Sequence, residues 1–345
     1  MSETGYSYGP APGTPGSGWP APPAMTLGQI LDRVFRLIQA NFRMYLEMAL
    51  VPVGTMLGGI AILGGLALLL ILPHLHGTPR PADFLSLLVL LPLAFLLYCG
   101  MFVIYALYGA AASYAVVKNH LGEPTSSADA WAVARQGAGR YVWLMFLLAL
   151  ILVGPLYVVL GVIGAVFAVI AVSAAHSNPP PPMAFAMFAP VAMLINLLNL
   201  GGQVYMVLMF LRYGLAIPAC VMENLPAVES LKRSVTLTRG GRGRFFVAML
   251  VIYAATMVAI VICEMVLLLV AGIAIFAGAL MHVTLHSPIL LFFFVPAALL
   301  VILAILLVLF SLPYVGYTTV VGVVYCDQRW RLENTPPTPA PRGMA

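Results

Sequence analysis

Long stretches with hardly a polar residue alternate with short polar ones along the chain. Six apolar blocks stand out, at roughly 44–73, 84–117, 141–175, 185–221, 245–281 and 289–326. A helix needs about 20 residues to cross a ~30 Å hydrocarbon core at 1.5 Å per residue. Each block exceeds that, so its helix must tilt, bend or project beyond the hydrocarbon. Pro52, Pro92, Pro155, Pro190, Pro218, Pro296 and Pro313 lie within the blocks and offer places to kink.

Between the blocks the period changes. From Met25, apolar residues recur at Leu27, Ile30, Leu31, Val34, Phe35 and Ile38, with Gln29, Asp32, Arg33, Arg36 and Gln39 on the other face. Thr26 and Gln29 have capping-box spacing, and so do Ser126 and Asp129 before a second short segment. A third begins near 226, where Pro226 suits the first helical turn and Val228, Leu231 and Val235 form a stripe. The ends of the even-numbered blocks echo one another as well. YGAAASYAVVKN (108–119) aligns with YGLAIPACVMEN (213–224) and more weakly with GYTTVVGVVYCD (316–327). The expected fold is all-α: six transmembrane helices in three parallel hairpin repeats (about 25–124, 125–224 and 225–332), each preceded by a cytoplasmic interfacial amphipathic helix. The Pro- and Gly-rich residues 1–24 and the stretch 333–345 read as disordered tails. Residues 1–24 lack the basic and apolar regions of a signal peptide.

Composition agrees with the pattern. At 62% hydrophobic and 8% charged residues, with a mean hydropathy of +1.04, the chain is far from a soluble domain. The formal charge of +5 sits in short clusters between apolar blocks, unlike the continuous basic face of a nucleic-acid binder, and no nucleic-acid partner is expected. Those clusters orient the chain. Arg33, Arg36, Arg43, Lys118, Arg135, Arg140, Lys232, Arg233, Arg239, Arg242, Arg244, Arg329, Arg331 and Arg342 flank one set of block ends, whereas the opposite loops hold Arg80 alone. By the positive-inside rule, both termini and the two long loops are cytoplasmic, in a plasma (inner) membrane. Cys99, Cys220, Cys263 and Cys326 are scattered through apolar sequence without a C-x-x-C and read as inert thiols.

Candidate chemistry is sparse. The segment GGRGR (240–244) lacks the G-x-x-x-x-G-K-[ST] of a phosphate loop and reads as a helix stop followed by basic anchors. Together with Arg33, Arg36, Lys232, Arg233 and Arg239, its arginines Arg242 and Arg244 are candidates for contact with anionic lipid headgroups. Within the blocks, Asn196, Asn199 and Gln203 share one helical face, and Arg212 and Glu264 are ionisable groups inside apolar sequence; these five are candidates for an intramembrane polar path. The estimated depths of Arg212 and Glu264 differ by roughly 15 Å, which argues against a direct pair. His74, His76, His176, His282 and His286 all fall at the non-cytoplasmic ends of blocks, where convergence would give a metal or pH-sensing site. No protease, hydrolase or magnesium-binding signature occurs, and no cofactor is expected.

Three places resemble a known family. These are LGQILDRVFRLIQANF (27–42), the pair Glu223–Asn224 with SLKRSVTLTRG (230–240), and Tyr325, Asp327 and Arg329 within YCDQR. They are similar to the membrane domain associated with glycerophosphoryl diester phosphodiesterases and to related bacterial integral membrane proteins. The resemblance implies a polytopic membrane domain that in some relatives precedes a soluble catalytic domain. Because the chain ends about a dozen residues after Leu332, no such domain is expected here. The functional expectation is a non-enzymatic, lipid-associated, scaffold or accessory module, with membrane lipids and a separately encoded enzyme as partners. The alternative is a transporter or channel.

Overall fold

The computed structural model describes residues 24–71, 89–176, 182–285 and 288–334. Every regular element in them is a helix. In chain order these are α1 (Leu27–Ile71), α2 (Leu90–His120), α3 (Ser127–Gln136), α4 (Ala138–Leu152), α5 (Gly154–His176), α6 (Pro182–Tyr213), α7 (Ala216–Met222), α8 (Ala227–Thr238), α9 (Arg242–Leu285) and α10 (Pro288–Asn334). Five helical stretches are long and apolar enough to cross a membrane, and a sixth is added if the bent pair α4–α5 counts as one span. The chain is a multi-pass helical membrane protein.

The short polar segments fold as their caps predict. The Thr26 N–H donates to Gln29 Oε1 (2.8 Å) while the Gln29 N–H reaches Thr26 Oγ1 (3.4 Å), a reciprocal box that starts α1. At α3, Ser126 and Asp129 close the same box. Pro226 is the N-cap of α8, with extended backbone, rather than part of its first turn. The first amphipathic stretch is not separated from the span after it: α1 runs through both, with a kink at Asn41 (φ −124°, ψ 21°).

The prolines do not break their helices where they stand. Pro52 lies inside α1, and α2, α6 and α10 likewise run through Pro92, Pro190 and Pro296. The two breaks that do occur fall a few residues before a proline. Pro155 has no N–H to offer the carbonyl four residues back, and α4 and α5 bend there by 51°. The freed Ile151 carbonyl instead accepts the Tyr205 hydroxyl at 2.8 Å. Upstream of Pro218, the helix stops at Tyr213 and resumes at Ala216. The Arg212 carbonyl left at that stop accepts the hydroxyls of Ser234 (3.0 Å) and Thr238 (3.4 Å).

Packing is concentrated at one end of the bundle. The buried face of α1 (Ile30, Val34 and Leu37) and that of α8 (Leu231 and Leu237) join the ends of α6, α7, α9 and α10 in cores that include Leu215, Ala219, Phe245 and Tyr325. The buried part of these apolar stripes therefore covers the protein's own helix ends, while Phe35 and Val228 of the same stripes stay exposed. Tyr45, Tyr141 and Phe245, each near the start of a long apolar stretch, are all buried. The four cysteines are free; Cys220 and Cys326 are buried, but Cys99 is exposed.

Candidate functional site

Two features of this packed end carry specific chemistry. The first is a buried polar network. Asp327, whose side chain is fully buried, accepts the Met25 N–H at 2.8 Å and pairs with Arg331 at 2.9 Å, while Arg331 also donates to the Met25 carbonyl at 2.6 Å. The end of α10 thereby holds the start of α1. A second knot joins α7, α8 and α10. Arg233 donates to Glu223 (2.8 Å) and Glu333 (3.1 Å), the Tyr325 hydroxyl donates to the other Glu223 oxygen (2.8 Å), and Arg329 donates to Tyr325 (3.3 Å) and Glu333 (2.9 Å). Arg33 caps α2, donating to the His120 carbonyl at 2.8 Å and to His120 Nδ1 at 3.4 Å. Arg140 donates to Asn224, a residue in the left-handed region at φ 52°. His120 Nε2 is buried without a hydrogen-bond partner among the described residues. Nearly all these residues fall within or beside the stretches 27–42, 223–240 and 325–329. Their separations of up to 306 positions in sequence close to hydrogen-bond distance in space. This is the arrangement of a clamp, in which acids and bases neutralise each other.

The second feature is a cavity of about 520 Å³ immediately beneath the clamp, between α2, α4, α6, α7, α9 and α10. Six of the fifteen tyrosines line it: Tyr105, Tyr108, Tyr213, Tyr253, Tyr314 and Tyr317. The rest of the wall is nearly all apolar, with Leu148, Leu152, Ile217, Met249 and Ile252 among its members. Tyr105 and Tyr314 share a hydroxyl–hydroxyl bond at 2.9 Å, and the Tyr108 ring meets Tyr314 edge-on with centroids 6.0 Å apart. Both helix breaks, at Val153 and at Gly214, lie in its wall. A Cβ on Gly214 would sit 2.7 Å from the Phe210 carbonyl, so the close turn there requires glycine. The size is that of a small-molecule site, and the lining suits hydrocarbon with a few hydroxyls for orientation.

The residues singled out in the sequence are dispersed. Arg33 and Arg233 are committed to the clamp, while Arg36 pairs with Asp32 at 2.9 Å on the exposed side of α1. Lys232, Arg239 and Arg242 are exposed and Arg244 is half-buried. Gly240 (φ +83°) ends α8 in the left-handed conformation, and a Cβ on Gly241 would overlap the Gln328 amide. The Gly240–Gly241 pair of GGRGR is thus a turn packed on α10, and Arg242 opens α9. Arg212 closes α6, exposed, with its guanidinium 5.4 Å from the Tyr213 ring centroid. Glu264 is exposed on α9. Because Phe210 packs on Phe245 at 5.5 Å, Arg212 lies near the start of α9, and Glu264 follows Phe245 by 19 residues. The two are therefore roughly 28 Å apart along the helix axis, twice the separation expected from sequence. Asn199 accepts from Gln203 at 3.1 Å on an exposed face of α6 that also carries Asn196. None of Asn196, Asn199, Gln203, Arg212 and Glu264 lines the cavity. His74, His76 and His286 lie outside the described residues, as do the side chains of His176 and His282. Among the described residues no cluster of potential metal ligands occurs.

Sequence reasoning missed the cavity because its walls come from six helices, and each tyrosine alone is an ordinary interfacial aromatic. The signal available was the doublet spacing Tyr105/Tyr108 and Tyr314/Tyr317, i and i+3 on two helices of matching position. Comparison with known proteins gives no matching family model, no matching curated protein and no matching solved structure.

Proposed function

We propose that this protein is a lipid-associated membrane module of six spans that holds a hydrocarbon chain in the tyrosine-lined cavity beneath its cytoplasmic clamp. The observation that carries this reading is the cavity itself. It is apolar and of ligand size, and most of its wall comes from helices long and apolar enough to cross a membrane. In this reading α4 and α5 form one bent span, the basic ends face the cytoplasm at a plasma membrane, and the chain is three hairpin units, each opening with an interfacial amphipathic helix. The recurrent order of short and long helices and the buried aromatics Tyr45, Tyr141 and Phe245 support the repeat. Kinship with the phosphodiesterase-associated membrane domain is part of the proposal. On that view the shared motifs encode the clamp, and the module serves a separately encoded enzyme by holding or presenting lipid rather than by catalysing a reaction.

The transport alternative draws no comparable support, since the cavity wall contains none of the polar residues proposed for a path. The test is native mass spectrometry of the full chain extracted from a bilayer. The expected result is lipid retained at near-stoichiometric level after delipidating washes, and its loss in Ala149→Phe or Thr256→Phe, which fill the cavity. Retention that is absent in the native chain, or unchanged in both variants, overturns the reading.

A further inference from the structure

The cavity stands beside a positive charge that the clamp does not use. Arg33, Arg140, Arg233, Arg329 and Arg331 are all engaged by internal acceptors. Arg212 differs. Its carbonyl is fixed by Ser234 and Thr238, so the backbone at this position is rigid. Its guanidinium is exposed over the ring of the lining residue Tyr213, with no carboxylate partner among the described residues. A cation over an aromatic face keeps its five donors directed outward, in a geometry that suits a phosphate.

The depths match a lipid. Arg212 lies near Phe245, just below the basic start of α9 at Arg242 and Arg244. The deepest lining residue of α9, Thr256, follows Phe245 by 11 residues. The cavity therefore reaches roughly 17 Å below the level of Arg212, about half of a ~30 Å hydrocarbon core, which is one leaflet.

From this we infer that the occupant is an anionic phospholipid of the cytoplasmic leaflet, its chain in the tyrosine-lined cavity and its phosphate-bearing headgroup on Arg212. The inference rests on the cavity reading above and adds the headgroup, so the two are separable. One surface cation favours an anionic over a zwitterionic headgroup about fivefold.

The full chain is to be reconstituted in nanodiscs of equal phosphatidylglycerol and phosphatidylethanolamine, with and without added oleate, and the retained lipid quantified after washing. The native chain is expected to retain phosphatidylglycerol over phosphatidylethanolamine about fivefold. Arg212→Lys should keep part of that preference. Arg212→Gln should retain as much total lipid at the bulk ratio, and Ala149→Phe should retain none. An unchanged ratio in Arg212→Gln, with lipid still lost from Ala149→Phe, overturns the headgroup assignment and leaves the cavity reading standing. Oleate displacing phosphatidylglycerol from the native chain overturns the phospholipid assignment. Undiminished lipid in Ala149→Phe overturns both.

Discussion

The clamp end and the far halves of the same helices are built on opposite terms. Near the clamp, side chains such as Tyr325, Phe245, Met48 and Leu215 are fully buried and the polar groups are tied to one another. In the stretches 54–105, 149–210 and 253–308, Gly59 is the one buried position among the described residues. Leu68, Phe95, Val166, Leu197 and Leu268 stand there largely exposed. In water such surface would collapse or aggregate; in a bilayer it is at home, because lipid chains are as apolar as leucine and burying it against protein gains little. Hydrogen bonds and ion pairs therefore specify the arrangement at one end, while the far helices are specified mainly by hydrocarbon solubility. The cavity lies where the first regime gives way to the second.

The largest effect that would break this contrast is at Asp327. Asp327→Ala removes a fully buried carboxylate, leaves the Met25 N–H without its acceptor and takes the carboxylate away from Arg331. The expected cost is about 3 kcal/mol, read as a lowered thermal midpoint in detergent, whereas Leu268→Ala should stay within ~0.5 kcal/mol. A comparable loss for Leu268→Ala would mean the far half is packed against protein after all. Next come paired glycines. A Cβ at Gly322 would lie 2.4 Å from Val116 Cγ1, so Gly322→Ala should cost about 1–3 kcal/mol through overpacking. At Gly64 nothing lies within 4 Å, and the same substitution should stabilise the helix by about 0.5–1 kcal/mol. Opposite signs in one unfolding assay support the contrast; equal signs defeat it.

This division also decides what could be read from sequence. The spans were legible because an apolar block of 30 or more residues has few alternatives. Two capping boxes were legible because Thr26/Gln29 and Ser126/Asp129 act locally. The clamp was half legible: Glu223, Tyr325, Asp327 and Arg329 drew attention as motif residues, yet nothing local says that Asp327 meets Met25 across 302 positions. The internal bonds of Arg33 and Arg233 were not legible because a basic residue on an amphipathic helix has the same sequence pattern whether it faces lipid or a buried acceptor. Proline positions were legible in part, since both breaks fall just before Pro155 and Pro218. A proline removes a donor to the carbonyl four residues back, so the break appears upstream, at Val153 before Pro155 and at Gly214 before Pro218, and at the first of these the Tyr205 hydroxyl takes over the Ile151 carbonyl.

Tyr205 provides that substitute at the boundary between the regimes. Its hydroxyl is the acceptor's replacement donor at Ile151, beside the cavity wall. Tyr205→Phe should cost about 1 kcal/mol. It should also increase amide exchange around 151–155 without disturbing the clamp, an outcome checked by hydrogen-exchange mass spectrometry. Exchange that rises equally at α8 would show that the bend and the clamp are one cooperative unit, and the boundary would have to be moved.

The smallest effect tests whether α3 belongs to the clamp or merely lies on it. Asp129 is exposed, and its hydrogen bonds from the Ser126 hydroxyl and N–H hold its carboxyl below the ordinary value of 3.8. A depressed folded-state value means the capping contribution is fully present above the unfolded carboxyl range. It is lost as pH falls through the lower folded value. Amide exchange at the α3 N-terminus, measured as protection factors to remove the intrinsic pH dependence, should therefore be flat from neutrality to about pH 5 and rise only in stronger acid. Asp129→Asn should abolish most of that dependence. The buried alanines Ala130 and Ala134, which carry α3's contact with the core, do not titrate. If acid frays only the first turn, the cap is a local device and α3 is held by packing. If acid releases the whole helix together with the end of α2, the cap is part of the cooperative clamp, and the packed regime extends one helix further than the buried side chains indicate.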